Sequence, residues 1–190
     1  MWLLLATLLA PTAGAAQVPT AAEEAQLRAG EVVVRELPTT NGGVRVVAFV
    51  DVHASPDAVW GALLDFPARR TSNPAVRSID YYRPSTASDV WVRWEVSKFG
   101  VDIVYHNHYV IDRTSGRLLH QLDPSQTNDL VESTGAYQLG TSPMGGGWTR
   151  LTYEIESDFG RALPGFIQSW MSSSGTRDFM AELARRAASR

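Results

Sequence analysis

The sequence predicts an α+β domain in which a curved antiparallel β-sheet is closed by one long carboxy-terminal helix. Three observations predict it. Between Ser78 and Ser157 the chain is a succession of short runs rich in β-branched and aromatic residues, such as DVWVRWEVSKFG and VDIVYHNHYVIDR, separated by Gly, Pro, Ser, Asp or Thr clusters. The connections between these runs are short, which favours antiparallel neighbours. After them, Leu163, Phe166, Ile167, Trp170 and Met171, then Phe179, Met180 and Leu183, recur at the spacing of three and four that makes one helical stripe. Such a stripe needs a partner surface, and the apolar faces of the strands supply one.

In chain order, the first element is MWLLLATLLAPTAGAAQ. Its apolar run from Trp2 to Ala10 is too short to span a bilayer and leads into small residues that offer Ala13-Gly14-Ala15 or Gly14-Ala15-Ala16 for cleavage. Residues 1 to 16 are therefore expected to be a secretory signal peptide, although no Lys or Arg precedes the run, and the mature protein is expected to be secreted or periplasmic. Cysteine is absent, so an exported form has neither disulfides nor a lipid-modified cysteine, and thiol chemistry is excluded. Residues 17 to 30, rich in Ala and Glu and ending in Gly30, suit a short lead-in helix before a domain spanning 31 to 190. With 190 residues, 44% hydrophobic and 19% charged, the chain suits one such domain plus short extras. A net charge of -3, with basic residues scattered, sets nucleic acid aside as a partner.

EVVVREL, residues 31 to 37, and VRVVAFVDVHA, residues 44 to 54, flank the Asn41-Gly42-Gly43 turn signal and read as a two-stranded hairpin. At Ala54 the period changes. Ser55 can cap a helix with Pro56 in its first turn, followed by Ala58, Val59, Ala62 and Leu63 with Trp60 beside them. FPARRTSNPAV, residues 66 to 76, then breaks into a second short helical turn and a loop. In the terminal helix, SSSGT at residues 172 to 176 has almost no side-chain volume, which suits either close approach to the sheet or room left for a guest.

The opening VDVHASPDAVWGALLDFPARRTSNPAV, residues 50 to 76, resembles that of the START-like, or SRPBCC, superfamily, in its polyketide-cyclase and coenzyme Q-binding branch. The residues that carry the resemblance are Ser55-Pro56, Val59-Trp60, Leu64-Asp65-Phe66 and Asn73-Pro74, and the element order follows it over roughly residues 44 to 188. The resemblance implies a helix-grip fold, with the sheet wrapped around the carboxy-terminal helix and an apolar cavity between them. It also implies binding of a lipid, sterol, quinone, polyketide or other hydrophobic molecule, with catalysis of cyclisation or hydrolysis in a minority of members. No shared catalytic motif is available to carry over.

Strand alternation suggests what would line such a cavity. Val90, Val92, Trp94 and Val96 share one face of their run, and Val101, Ile103, Tyr105, Tyr109 and Ile111 share another, leaving Asp102, His106 and His108 outside. Leu151, Tyr153 and Ile155 form a third set, and Val131, Tyr137 and Leu139, with Ser133 between them, a fourth. The expected ligand-binding set is Trp60, Val92, Trp94, Ile103, Tyr105 and Tyr109, with Tyr137 and Tyr153 from the later strands and Ile167, Trp170, Met171 and Ser174 from the helix. The same alternation suits a completely filled core, and the sequence leaves both open.

His106 and His108 project from one face, but no third metal ligand accompanies them, and Ser172, Ser173 and Ser174 lack a nucleophile context. No catalytic set, metal or cofactor is assigned. Asp65, Arg69 and Arg70 read as a charged rim at the cavity mouth or as solvated surface, and Arg93 with Glu95 and Arg150 with Glu154 as outer-face ion pairs. The leading expectation is an exported binder of a hydrophobic small molecule or lipid, monomeric and without a stable membrane span once the signal is removed. The alternatives are a cyclase- or hydrolase-type enzyme using a tyrosine or inward carboxylate in the same cavity, and an interaction module with a collapsed interior.

Overall fold

The computed structural model describes residues 18–39, 43–160 and 164–190. The expected signal peptide, the Asn41-Gly42 pair and Leu163 lie outside the described residues. Helix α1 (Ala21–Arg28) is fixed by a capping box in which the Thr20 hydroxyl accepts from the Glu23 amide while the Glu23 carboxylate accepts from the Thr20 amide. Strands β1 (Val33–Leu37) and β2 (Val44–Val52) pair antiparallel, as the flanking turn signal predicts. Helix α2 (Pro56–Leu64) starts at the Ser55 cap, and α3 (Phe66–Ser72) follows after Asp65, whose carboxylate accepts from the Ala68 amide. The strands β3 (Val76–Tyr81), β4 (Asp89–Lys98), β5 (Val101–Asp112), β6 (Arg117–Leu122), β7 (Glu132–Thr141) and β8 (Thr149–Asp158) come next, then helices α4 (Gly165–Ser172) and α5 (Ser174–Ala188).

The eight strands form one antiparallel sheet in the order β1-β2-β8-β7-β6-β5-β4-β3. The α2-α3 pair carries the chain from β2 to the far edge at β3, and successive antiparallel neighbours then step back until β8 closes against β2. Short connections between consecutive strands make that return route the simple one. Helix α5 packs on β1, β2 and α2, covering one face of the sheet. Its Met180, Leu183 and Ala187 join Val50, Val92, Leu118, Leu151 and the α2 residues Val59, Trp60 and Leu63 in the main core. On the opposite face Leu27 of α1 packs with Val33, Val47 and Phe49, so β2 is buried on both sides from Val46 to Val52. The expected lead-in helix is thus a working part of the second layer.

Four expectations are corrected. The terminal helix is two helices, interrupted at Ser173, whose ψ of -83° departs from helical geometry. The run of small residues marks that break. A Cβ at Gly175 would stand 2.8 Å from the Trp170 carbonyl oxygen, so the turn closes only around a glycine. On α4 the stripe is also incomplete, since Phe166 is 55% exposed while Ile167 is fully buried. Val131 points outward, 67% exposed, and Leu130 is buried instead, because regular pairing in β7 begins only at Glu132 and alternation does not extend into the bend before it. Arg150 pairs with Glu24 and Asp51, and Glu154 pairs with Arg45, so the expected Arg150-Glu154 pair is not formed. For Arg150 and Glu154, cross-strand and helix-to-sheet neighbours outcompete the residue four along the same strand. Arg93 does pair with Glu95, at 3.0 Å.

Candidate functional site

Beneath α5 the sheet and the helix leave a cavity of about 380 Å³. Strands β4, β5, β7 and β8 contribute Trp94, Tyr105, Tyr109, Tyr137 and Tyr153; the helices contribute Trp170, Met171 and Phe179. Pro74 and Asp178 line it and are exposed, which places its outer side between the loop after α3 and the middle of α5. Its inner end is built from consecutive strands. Tyr109 stands directly across from His120, His120 across from Gly135, and Tyr137 across from Tyr153.

The packing of that inner end is set by one glycine. A Cβ at Gly135 would lie 2.5 Å from His120 Nε2 and 2.4 Å from the Glu154 carbonyl oxygen, so the imidazole occupies space that only glycine leaves. His120 stacks on Tyr153 at 5.9 Å between ring centres, and Tyr153 stacks on Tyr137 at 4.3 Å. Burial, reinforced by the positive charge of Arg69, holds His120 down to about 3, so the ring is neutral at physiological pH. Burial also pushes the Tyr105, Tyr109, Tyr137 and Tyr153 hydroxyls above the usual phenol range, keeping them protonated.

Arg69 is the largest departure from the sequence reading. It is 3% exposed and turns inward from α3, donating from Nη2 to the Leu63 carbonyl at 2.5 Å. Its guanidinium lies 4.6 Å from the Phe66 ring centre, 5.0 Å from Phe179 and 5.6 Å from Trp94. Flat guanidinium over aromatic rings is a favourable way to bury that charge. Asp65 remains partly exposed and pairs with Arg190 at 2.5 Å, while Arg70 points to solvent.

Seven of the twelve expected ligand-binding residues meet in the cavity wall: Trp94, Tyr105, Tyr109, Tyr137, Tyr153, Trp170 and Met171. The other five lie elsewhere. Val92 is fully buried in the main core, and Trp60 is 4% exposed beneath Arg113. Ile103 and Ile167 pack together with Leu130 and Phe159 in a second cluster, and Ser174 is exposed at the start of α5. For the strand residues Val92 and Ile103 the reason is that alternation gives the face of a residue but not its depth along the strand. The sequence reading also passed over Asn107 and His120, although the former shares the face of Tyr105 and Tyr109 and the latter alternates with Leu118 and Leu122. The period-two pattern could have found both. His106 and His108 lie on the other face, His108 stacked on Trp91 and 2.8 Å from Asp89.

Residues 43–188 match the family described as polyketide cyclase / dehydrase and lipid transport. The chain belongs to that family. Solved structures of START-like cyclase and lipid-transfer proteins share its fold at low identity. A STAR-related lipid transfer protein from Xanthomonas axonopodis, 13% identical, superposes with a TM-score of 0.68 over 82% of this chain and 93% of its own. Human StAR-related lipid transfer protein 5, 15% identical, gives 0.64 over 84% of this chain and 83% of its own. The Zhui aromatase/cyclase of a Streptomyces species, also 15% identical, gives 0.60 over 83% and 93%. No curated protein matches the sequence. The polyketide cyclase and lipid transport family is thereby the one the opening motif resembles, and the helix-grip architecture is the one expected. Among the described residues no helix is long and apolar enough to cross a membrane.

Proposed function

We propose that this protein is an exported START-like carrier that holds one hydrophobic small molecule between its sheet and α5 and shields it from water. The observation that carries the reading is the cavity itself: Trp170, Phe179 and the four tyrosines line the hollow under α5 yet leave about 380 Å³ open. Closely packed interiors rarely retain a void larger than a water molecule, and this volume falls toward the small end of known ligand pockets, roughly 300 to 1,000 Å³. The relatives that share the fold are described as lipid-transfer proteins and a cyclase, which supports a hydrophobic guest. Solvent extraction of the purified protein followed by mass spectrometry is expected to release a stoichiometric apolar compound. Repeated absence of any such compound, with no probe of that class taken up, would overturn the reading.

The cyclase- or hydrolase-type alternative has one specific observation in its favour, a buried histidine among tyrosine hydroxyls in the same cavity. The electrostatics weigh against acid-base work by these groups. A ring held down to about 3 is a weak base, and hydroxyls pushed above the usual phenol range are donors rather than bases. Export is supported by the apolar run from Trp2 to Ala10 and the small residues after it. Intact mass of the protein recovered from the producing cells is expected to show loss of the first 15 or 16 residues, whereas a form retaining Met1 in the cytoplasm would refute it.

A further inference from the structure

The inner end of the cavity contains polar atoms that the protein leaves unfilled. His120 is 4% exposed and Asn107 is 4% exposed, and both line the cavity. Among the described residues neither ring nitrogen of His120 has a hydrogen-bond partner, and the same is true of Asn107 Oδ1, whereas Asn107 Nδ2 donates to the Tyr109 hydroxyl at 3.4 Å. A buried polar atom left without a partner is costly, so such atoms in a cavity wall are read as waiting for what the cavity holds.

The chemistry of the imidazole narrows what that is. A neutral imidazole carries one donor nitrogen and one acceptor nitrogen whichever tautomer it adopts. A ketone, ether or carboxylate can answer the donor but has no proton for the acceptor. A hydroxyl can accept from the donor nitrogen and give its own proton to an acceptor, either the other nitrogen or Asn107 Oδ1.

We propose that His120 and Asn107 form a hydroxyl-reading station, and that the guest is a compact hydrophobic alcohol or phenol bound with its hydroxyl at the inner end of the cavity. This rests on the carrier reading and specifies its ligand class. Arg69 lines the same cavity, reaching the Tyr109 and Tyr137 hydroxyls as well as the Leu63 carbonyl, and its positive charge disfavours a protonated His120, so the imidazole keeps one donor and one acceptor nitrogen.

Isothermal titration calorimetry with naphthol, its methyl ether, methylnaphthalene and naphthoic acid tests the proposal, because the four share one apolar body. The wild-type protein is expected to bind naphthol about tenfold or more tightly than the ether or the hydrocarbon, the discrimination a site with buried hydrogen-bonding groups can reach. In His120→Phe the preference should shrink to within about twofold while methylnaphthalene affinity is retained. The wild-type comparison decides the matter even if that variant fails to fold. Equal affinity for naphthol, ether and hydrocarbon would overturn the station and leave the carrier standing, with retained water serving His120 and Asn107. Tightest binding of naphthoic acid would overturn it in favour of an anion held by Arg69. Failure of all four to bind would remove the carrier reading and this inference with it.

Discussion

His120 shows how a single side chain ties packing to chemistry. It fits because Gly135 has no Cβ, and it is neutral because burial, with the positive charge of Arg69 beside it, disfavours the imidazolium. The sign of its effect on stability follows. The folded form holds its pKa at about 3, below the ordinary 6.5, so the unfolded chain binds a proton that the folded chain refuses as pH falls between those values. Its contribution is intact above 6.5 and is lost progressively toward 3. Roughly 2 kcal/mol should disappear between about pH 6.5 and pH 5. The groups facing the ring are Arg69 and the hydroxyls of Tyr109, Tyr137 and Tyr153, which keep their charge state across that window. Glu23, Glu24, Asp89 and Asp123 are held below their ordinary values, so their acid losses come at lower pH. Urea denaturation of wild type and His120→Phe across that range should therefore diverge, with the variant nearly flat; parallel curves would contradict a buried neutral histidine.

At the scale of elements, helix α1 contributes more than its lead-in position suggests. Its single fully buried residue, Leu27 at 1% exposure, closes the outer face over Val33, Val47 and Phe49. Arg150 fastens the helix by bridging Glu24 to Asp51, and the Asp51 side chain is fully buried. Leu27→Ala is expected to cost about 3 kcal/mol, the range for emptying a large aliphatic site, and a denaturation midpoint within error of wild type would show that α1 is dispensable. The terminal helices teach the complementary lesson. Their apolar spacing was legible, but the interruption at Ser173 was not, because SSSGT tolerates either a continued helix or a turn. The Trp170 carbonyl against Gly175 and the Thr176 hydroxyl donating to the Met171 carbonyl at 2.8 Å favour the turn.

For the molecule as a whole, the cavity makes stability depend on occupancy. A guest that binds only the folded form adds about 2.7 kcal/mol at a free concentration one hundred times its Kd. For a domain of this size that corresponds to a rise of roughly 5 to 10 °C in Tm, measurable by differential scanning fluorimetry with naphthol. No rise at saturation would count against a preformed cavity.

The sequence by itself determined the element order, the antiparallel sheet, the capped α2-α3 pair, the apolar stripe of the covering carboxy-terminal segment and the inward faces that carry Trp94, Tyr105, Tyr109, Tyr137 and Tyr153. Those features depend on local periodicity, caps and turn residues, which act between neighbours in the chain. Only the tertiary structure decided that Arg69 turns inward, that Arg150 chooses Glu24 and Asp51, and that Val92 and Ile103 belong to the core rather than to the cavity wall. These outcomes depend on how far along each strand the helix layer stands off from the sheet, a distance set by contacts between residues remote in sequence and therefore absent from any local pattern.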